Sequence, residues 1–202
     1  MFEKYIEVLK TPKAVFEREK NTTNLMGDIK LIGIAGLISG ILAAISIYIS
    51  NLTSPALSGA IGIGAIITVP IMAIINLLIG SGFLYLFARL FSGKGNYNSQ
   101  THLIALYTAP IMVLSAILNI IPMLGAFVAA LLSLYSLYLL TMALKATHGF
   151  STTKAIATWL VPAIVLFIVA IIIILAIGTA IFSIMGIDAT QLQTASGLFS
   201  LA

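Results

Sequence analysis

The segment Leu103–Lys145 reads LIALYTAPIMVLSAILNIIPMLGAFVAALLSLYSLYLLTMALK, and its one charged residue is the lysine that ends it. A helix needs about 20 apolar residues to cross a bilayer, so this segment is long enough for two spans. The stretch Asn119-Ile-Ile-Pro122-Met-Leu-Gly125 interrupts it near the middle with residues that favour a turn. The segment therefore predicts a tight hairpin of two membrane-spanning helices, 103–121 and 123–145.

The rest of the chain has the same apolar character. Of its 202 residues, 60% are hydrophobic and 8% are charged, whereas soluble domains carry about 25% charged residues. Three further apolar stretches predict spans at about 29–48, 60–90 and 155–185. The expected fold is an all-α, polytopic transmembrane bundle of about five spans (29–185), with a leader (1–28) before it and a short tail (186–202) after it.

The basic residues predict the orientation of this bundle. All ten lysines and arginines precede or abut the first span, or flank the segments between spans two and three and between spans four and five. With five spans, these segments fall on one side of the membrane, and the other side receives no basic residue. Because cytoplasmic segments carry the excess of Lys and Arg, we expect a multi-pass plasma-membrane protein with a cytoplasmic N-terminus and an external C-terminus.

The leader has two short helical patterns. Thr11-Pro12 is typical of an N-cap followed by proline at the first helical position. We expect an amphipathic leader that contacts the membrane surface through Phe2, Ile6, Leu9 and Phe16; the alternative is a solvated tail.

The sequence offers little that an enzyme would need. It has no cysteine and two histidines, His102 and His148, which predict isolated interfacial side chains rather than a metal site. No nucleotide-binding or hydrolase motif is found, and no cofactor is expected. The basic residues do not cluster as nucleic-acid binding requires, so the expected environment is the lipid bilayer.

Several residues predict close helix packing or kinks. Gly36 and Gly40 form a small-residue ridge, for which packing within the chain is favoured over packing between subunits. Pro70, Pro110, Pro122 and Gly125 are expected at kinks and turns. Asn76 and Asn119 are interpreted as packing amides, and a pore or substrate contact is the alternative.

A series of short motifs from Gly93 to Ala163 resembles the Yip domain family of Ypt/Rab-interacting membrane proteins. The motifs are a Gly-rich turn with Gly95 and Tyr97, Ala105-Leu-Tyr107-Thr-Ala-Pro110, Ile121-Pro122-x-x-Gly125, and Ala143-Leu-Lys-Ala-Thr-His148-Gly149-Phe-Ser-x-x-Lys-Ala155. The leader segment from Thr11 to Phe16 is also similar to that family's proline-containing leader. The resemblance implies an all-helical fold with five spans and a cytoplasmic N-terminus.

The resemblance also bears on function. Eukaryotic members are linked to Rab GTPases and vesicle traffic, and they carry an Asp-Leu-x-Gly-Pro motif before the first span. Here the corresponding residues are Met26-Gly-Asp-Ile-Lys30, without the proline, and the compact leader favours the prokaryotic branch, which has no settled activity.

Three functions are compatible with these features, and an intramembrane enzyme ranks third because the sequence offers no clear catalytic acid, base or nucleophile pair. The first is a non-enzymatic organiser of membrane or partner proteins, with a protein partner on the cytoplasmic face at Gly95, Tyr97, His148 and Gly149. The second is a small-solute transporter or channel that works as a homo-oligomer and uses Asn76 and Asn119.

Overall fold

The computed structural model describes residues 3–50, 55–121 and 124–184, and these residues form seven α-helices and no strand. The helices are α1 (Glu3–Lys10), α2 (Pro12–Glu19), α3 (Leu25–Ser50), α4 (Pro55–Leu90), α5 (Tyr97–Leu118), α6 (Leu124–His148) and α7 (Thr152–Ile184). Five of them, α3 to α7, are long and apolar enough to cross a membrane. The expected all-α fold with about five spans is confirmed, and the chain is a multi-pass membrane protein.

Four of these helices begin earlier than the spans expected from the sequence, and α4 and α5 differ most. Helix α4 begins at Pro55 rather than near residue 60, because its first glycines lie within the helix and not before it. Helix α5 begins at Tyr97 rather than at residue 103, because the Asn96 side chain accepts a hydrogen bond from Ser99 N at 2.8 Å and caps the helix. The first polar turn of α5 is therefore helical and not part of the preceding loop.

Helices α3 and α4 pack as an antiparallel pair along the small-residue ridge. A Cβ added at Gly36 would lie 2.6 Å from Pro70 Cα, and one added at Gly40 would lie 2.9 Å from the Ala65 carbonyl oxygen. Only glycine permits so close an approach, which supplies the van der Waals contact that holds helices together in lipid. In the structure the ridge therefore packs against α4 of the same chain.

The prolines within the spans lie inside continuous helices. Helix α4 continues through Pro70, and α5 continues through Pro110. Each proline removes one backbone N–H from its helix; the expected kinks stay a prediction.

The hairpin between α5 and α6 is as tight as the sequence predicts. Helix α5 ends at Leu118 and α6 begins at Leu124, and Gly125 N donates to Ile121 O at 2.8 Å. A Cβ at Gly125 would lie 2.7 Å from Asn119 Cα, so the two helices meet where glycine has no side chain. A short connection therefore joins α5 to α6. Pro122 lies outside the described residues.

Helix α5 is the central element of residues 1–159. Its residues from Ser99 to Tyr107 are all buried, and it packs against α1, α3, α4 and α6. Four elements therefore enclose the N-terminal half of one helix, and that half is where the buried polar side chains lie.

The leader helices pack against protein, which differs from the expectation of a leader lying on the membrane surface. Phe16 has 0% exposure and meets the Tyr107 ring edge-on, with centroids 6.3 Å apart. Leu9 packs against the same core, and its carbonyl accepts a hydrogen bond from the Tyr135 hydroxyl at 2.6 Å. For Leu9 and Phe16 the partner is therefore the bundle, because α5 and α6 offer an apolar groove that competes with lipid.

The outcome differs for the other two expected membrane contacts, Ile6 and Phe2. Ile6 is 56% exposed, and its contact with the membrane stays a prediction. Phe2 lies outside the described residues.

The chain divides at Leu160 into two compact units. The second unit begins within α7, and its residues from Leu160 to Ile177 are all apolar. A helix that is apolar on every side is typical of a membrane span. The expected tail, 186–202, lies outside the described residues.

Candidate functional site

The basic end of the bundle contains a cluster of buried polar side chains. We use "basic end" for the region where the C-terminus of α4, the loop 91–96, the N-terminus of α5 and the C-terminus of α6 meet, with Arg89, Lys94 and Lys145 around it. The buried cluster there is formed by Ser81, Gln100, Thr101 and His148. Burying polar groups in a membrane protein is costly unless they are hydrogen-bonded, so their partners define the site.

His148 connects the loop 91–96 to helix α5. Gly95 N donates to His148 Nδ1 at 3.2 Å, and His148 Nε2 lies 2.8 Å from Gln100 Oε1. Because Nδ1 accepts a hydrogen bond, the proton of the neutral ring lies on Nε2 and is donated to Gln100. The imidazole thus uses both nitrogens to hold a loop against a helix.

Gln100 and Ser81 extend this connection to α4. Gln100 Nε2 donates to the Ser81 carbonyl oxygen at 2.8 Å, and Ser81 Oγ lies 2.7 Å from Thr101 Oγ1. Tyr97 closes the cluster, since its hydroxyl donates to the Leu78 carbonyl at 3.0 Å. Hydrogen bonds therefore join α4, α5, α6 and the intervening loop into one rigid unit.

The glycines of the loop 91–96 make this arrangement sterically feasible. A Cβ at Gly93 would lie 2.6 Å from His148 Nδ1, and one at Gly95 would clash with the Thr147 backbone. The loop can approach the end of α6 only without side chains at these positions. Gly149 has a different role: its φ of +68° ends α6 in the left-handed conformation that favours glycine.

A second buried group joins the leader to the bundle. His102 Nδ1 lies 2.7 Å from Asp28 Oδ1, and the two side chains belong to α5 and α3. The second ring nitrogen, His102 Nε2, lies within ion-pair distance of Glu19 Oε2, at 3.5 Å, but forms no hydrogen bond with it. Helix α1 packs against α5 beside this group. Burial there, together with the carboxylates of Asp28 and Glu19, raises the pKa of the Tyr5 hydroxyl.

The two histidines are therefore not isolated side chains at the membrane interface. His102 is 4% exposed and His148 is 2% exposed, and each has a polar partner on another helix. The expectation of isolated histidines is wrong because both rings lie where a polar helix turn faces the interior. No group of three or more potential ligands for a metal ion is found among the described residues.

The structure brings together the four residues expected to contact a partner, but they are exposed to different degrees. Gly149 is exposed, Gly95 and Tyr97 are half-buried, and His148 is buried. The His148 ring therefore supports the surface from beneath it. Whether a partner binds here stays a prediction.

The sequence analysis missed Asp28, Ser81, Gln100 and Thr101. Asp28 was assigned to the leader, but it lies in the first turn of α3. Gln100 and Thr101 were assigned to a polar loop. The signal that could have found them is the N-cap residue Asn96, because a helix that begins there turns the following polar residues inward.

The two asparagines within or near the spans lie in different places. Asn76 is exposed and lines an open cleft of about 280 Å³ between α4 and α5, together with Ser81, Tyr107 and Thr108. Asn119 lies at the hairpin. Its side-chain amide donates to Ser115 O at 2.8 Å, and its backbone carbonyl accepts from Ser46 Oγ at 2.9 Å. The two amides do not form one site.

Comparison with known proteins agrees with this architecture. The chain matches the Yip1 domain over residues 6–174, a range that begins in α1 and ends within α7. No curated protein and no solved structure matches the chain. The resemblance seen in the sequence motifs is confirmed over most of the chain: it belongs to the Yip1 domain family.

Proposed function

We propose that this protein is a non-enzymatic organiser of membrane or partner proteins, and that its basic end binds a protein partner in the cytoplasm of a prokaryotic cell. The observation that supports this most is the clamp formed by His148, Gln100 and Gly95. Such a clamp holds the loop 91–96 against the end of α6 and the start of α5. A surface that is rigid before binding loses less conformational entropy when a partner docks.

The side chains above the clamp suit a protein partner. Lys94, Asn98, Gly149 and Ser151 are all exposed there, and they offer charge, hydrogen-bonding groups and exposed backbone. Polar groups of this kind typically form the rim of a protein interface. In this proposal His148 is a positioning residue, while the exposed loop residues make the contact.

The test is photo-crosslinking in native membranes from a photoreactive residue at Lys94 or Ser151. We expect a discrete crosslinked protein, with a yield that falls several-fold in His148→Ala while the protein level in the membrane is unchanged. Ser133→Ala is the matched control, because Ser133 lies on the same helix and bonds only to Ala129 O of its own helix. Crosslinks to lipid alone, or a yield that His148→Ala leaves unchanged, would reject the proposal.

The open cleft beside Asn76 supports a second candidate, a small-solute transporter or channel that works as an oligomer. An amide exposed at membrane depth is costly unless it meets a polar partner. Solute flux in proteoliposomes that Asn76→Leu abolishes, while Asn119→Leu retains it, would favour transport over the organising role. We expect no such flux.

A further inference from the structure

A groove lies next to the basic end, between α2, α6 and the first turns of α7. It consists of three adjoining hollows of about 260, 490 and 390 Å³. Lys13 lines the first two, Lys145 lines the first and third, and Tyr138 lines the second and third. The shared residues make the hollows one continuous surface.

The charges around this groove leave it positive. Among the described residues, neither Lys13 nor Lys145 forms an ion pair with a carboxylate, and Lys145 Nζ donates to Thr152 Oγ1 at 2.8 Å. Glu17 also lines the groove, but Lys20 Nζ lies 2.6 Å from its carboxylate and offsets that charge. Two uncompensated ammonium groups therefore face a shared hollow.

The other part of the groove is apolar and aromatic. Leu137, Ile156 and Trp159 line it, and Trp159 Nε1 donates to Thr141 Oγ1 at 3.0 Å. Tyr138 is exposed beside them. Tyr and Trp rings are enriched at the depth where lipid headgroups meet acyl chains. The groove thus offers positive charge at one end and an apolar wall at the other.

We infer that this groove binds an anionic glycerophospholipid, with its phosphate between Lys13 and Lys145 and an acyl chain along Leu137, Ile156 and Trp159. Basic hollows between transmembrane helices suit anionic headgroups. A free phosphate ester would satisfy the lysines but leave the apolar wall uncovered. A zwitterionic lipid would bring a cationic group toward the lysines, so the arrangement favours net negative charge.

The single tryptophan provides a direct readout, because Trp159 is the only one in the chain and lines the groove. The full-length protein in nanodiscs would be titrated with bromine-labelled phosphatidylglycerol or phosphatidylcholine, which quench tryptophan fluorescence. Each lysine near an anionic lipid favours it by about fivefold. With two lysines, we expect half-maximal quenching at a roughly 25-fold lower mole fraction of phosphatidylglycerol than of phosphatidylcholine.

The double variant Lys13→Gln/Lys145→Gln should lose this preference. The control variant Lys30→Gln/Lys94→Gln removes the same net charge from two exposed positions outside the groove and should keep it. Glycerol 3-phosphate added to either nanodisc should leave the titration unchanged, because the acyl chain is part of the interaction. Equal quenching by both lipids, equal loss in both double variants, or displacement by glycerol 3-phosphate would overturn the inference.

Discussion

At the scale of single residues, Asp28 and His102 form a buried hydrogen-bonded pair that joins α3 to α5. The two side chains are 3% and 4% exposed and 2.7 Å apart, although 74 positions separate them in the sequence. Removing one partner leaves the other buried without its counterpart, which costs more than removing both. The pair therefore fixes how α3 and α5 are aligned.

We expect Asp28→Leu to destabilise the protein by about 1–3 kcal/mol, because the His102 ring is left buried without its hydrogen-bond partner. The double variant Asp28→Leu/His102→Leu should recover a substantial part of that loss. Thermal unfolding in detergent, followed by circular dichroism, measures both. Additive losses in the double variant would show that the two side chains do not act as a pair.

The residue scale is also where sequence reasoning reached its limit. Tyr97 and His148 were singled out because they lie beside polar loops, and the structure brings both to the basic end. Their partners, Leu78 O and Gln100, could not be named, because hydrogen bonds between distant helices depend on register and rotation. One-dimensional spacing does not fix either quantity for helices that are apolar on most faces.

At the scale of elements, the leader shows a second limit. Its apolar positions were recognised, but the surface that they cover was not. Val15 and Phe16 could be buried equally well in lipid or in a groove between helices. Composition alone does not distinguish these two environments. The decisive feature is the space between α5 and α6, which only the folded bundle creates.

The sequence identified the small-residue ridge of α3 as a packing surface, because such a ridge acts through steric exclusion, but it did not name α4 as the partner. We expect Gly36→Ala to destabilise the protein by about 1–3 kcal/mol, since its Cβ would lie 2.6 Å from the Pro70 backbone. Gly33→Ala is the matched control, because its nearest neighbour is the flexible end of Ile74 at 3.4 Å. Equal unfolding midpoints for the two variants in detergent would contradict this close contact.

The ion pair between the leader helices α1 and α2 should make the stability of the protein depend on pH. Arg18 donates to both carboxylate oxygens of Glu7, at 2.9 and 3.2 Å, and these hydrogen bonds hold the pKa of Glu7 below its usual 4.5. A depressed pKa stabilises the folded state above the unfolded value, and the contribution disappears as pH falls through the folded pKa.

We therefore expect Glu7→Gln to lower the melting temperature slightly at pH 7, and the difference from the wild type to shrink below about pH 4.5. The effect is small because the ion pair is exposed to solvent. Glu3→Gln removes an exposed carboxylate from the same helix and serves as the control. A difference that grows on acidification would have the wrong sign for this ion pair.

At the scale of the whole molecule, the number of spans followed from the sequence because two independent patterns agree. Apolar length predicted five helices, and with five spans all the basic segments fall on one side of the membrane. The described structure has five such helices, and Arg89, Lys94 and Lys145 all lie around the basic end. Helix length is set by bilayer thickness, so this part of the fold depends little on tertiary contacts.

The orientation in the cell remains a prediction, and the absence of cysteine makes it directly testable. Cysteines introduced singly at Lys94 and Ser151 mark the basic end, while one at Ile121 marks the turn between α5 and α6; all three positions are exposed. An impermeant thiol reagent on intact cells should label Ile121→Cys alone, and should label the other two only after permeabilisation. The physical reason is the positive-inside rule, which keeps segments rich in Lys and Arg in the cytoplasm. Labelling at Lys94→Cys in intact cells would place the basic end outside, and the proposed cytoplasmic partner surface would then be untenable.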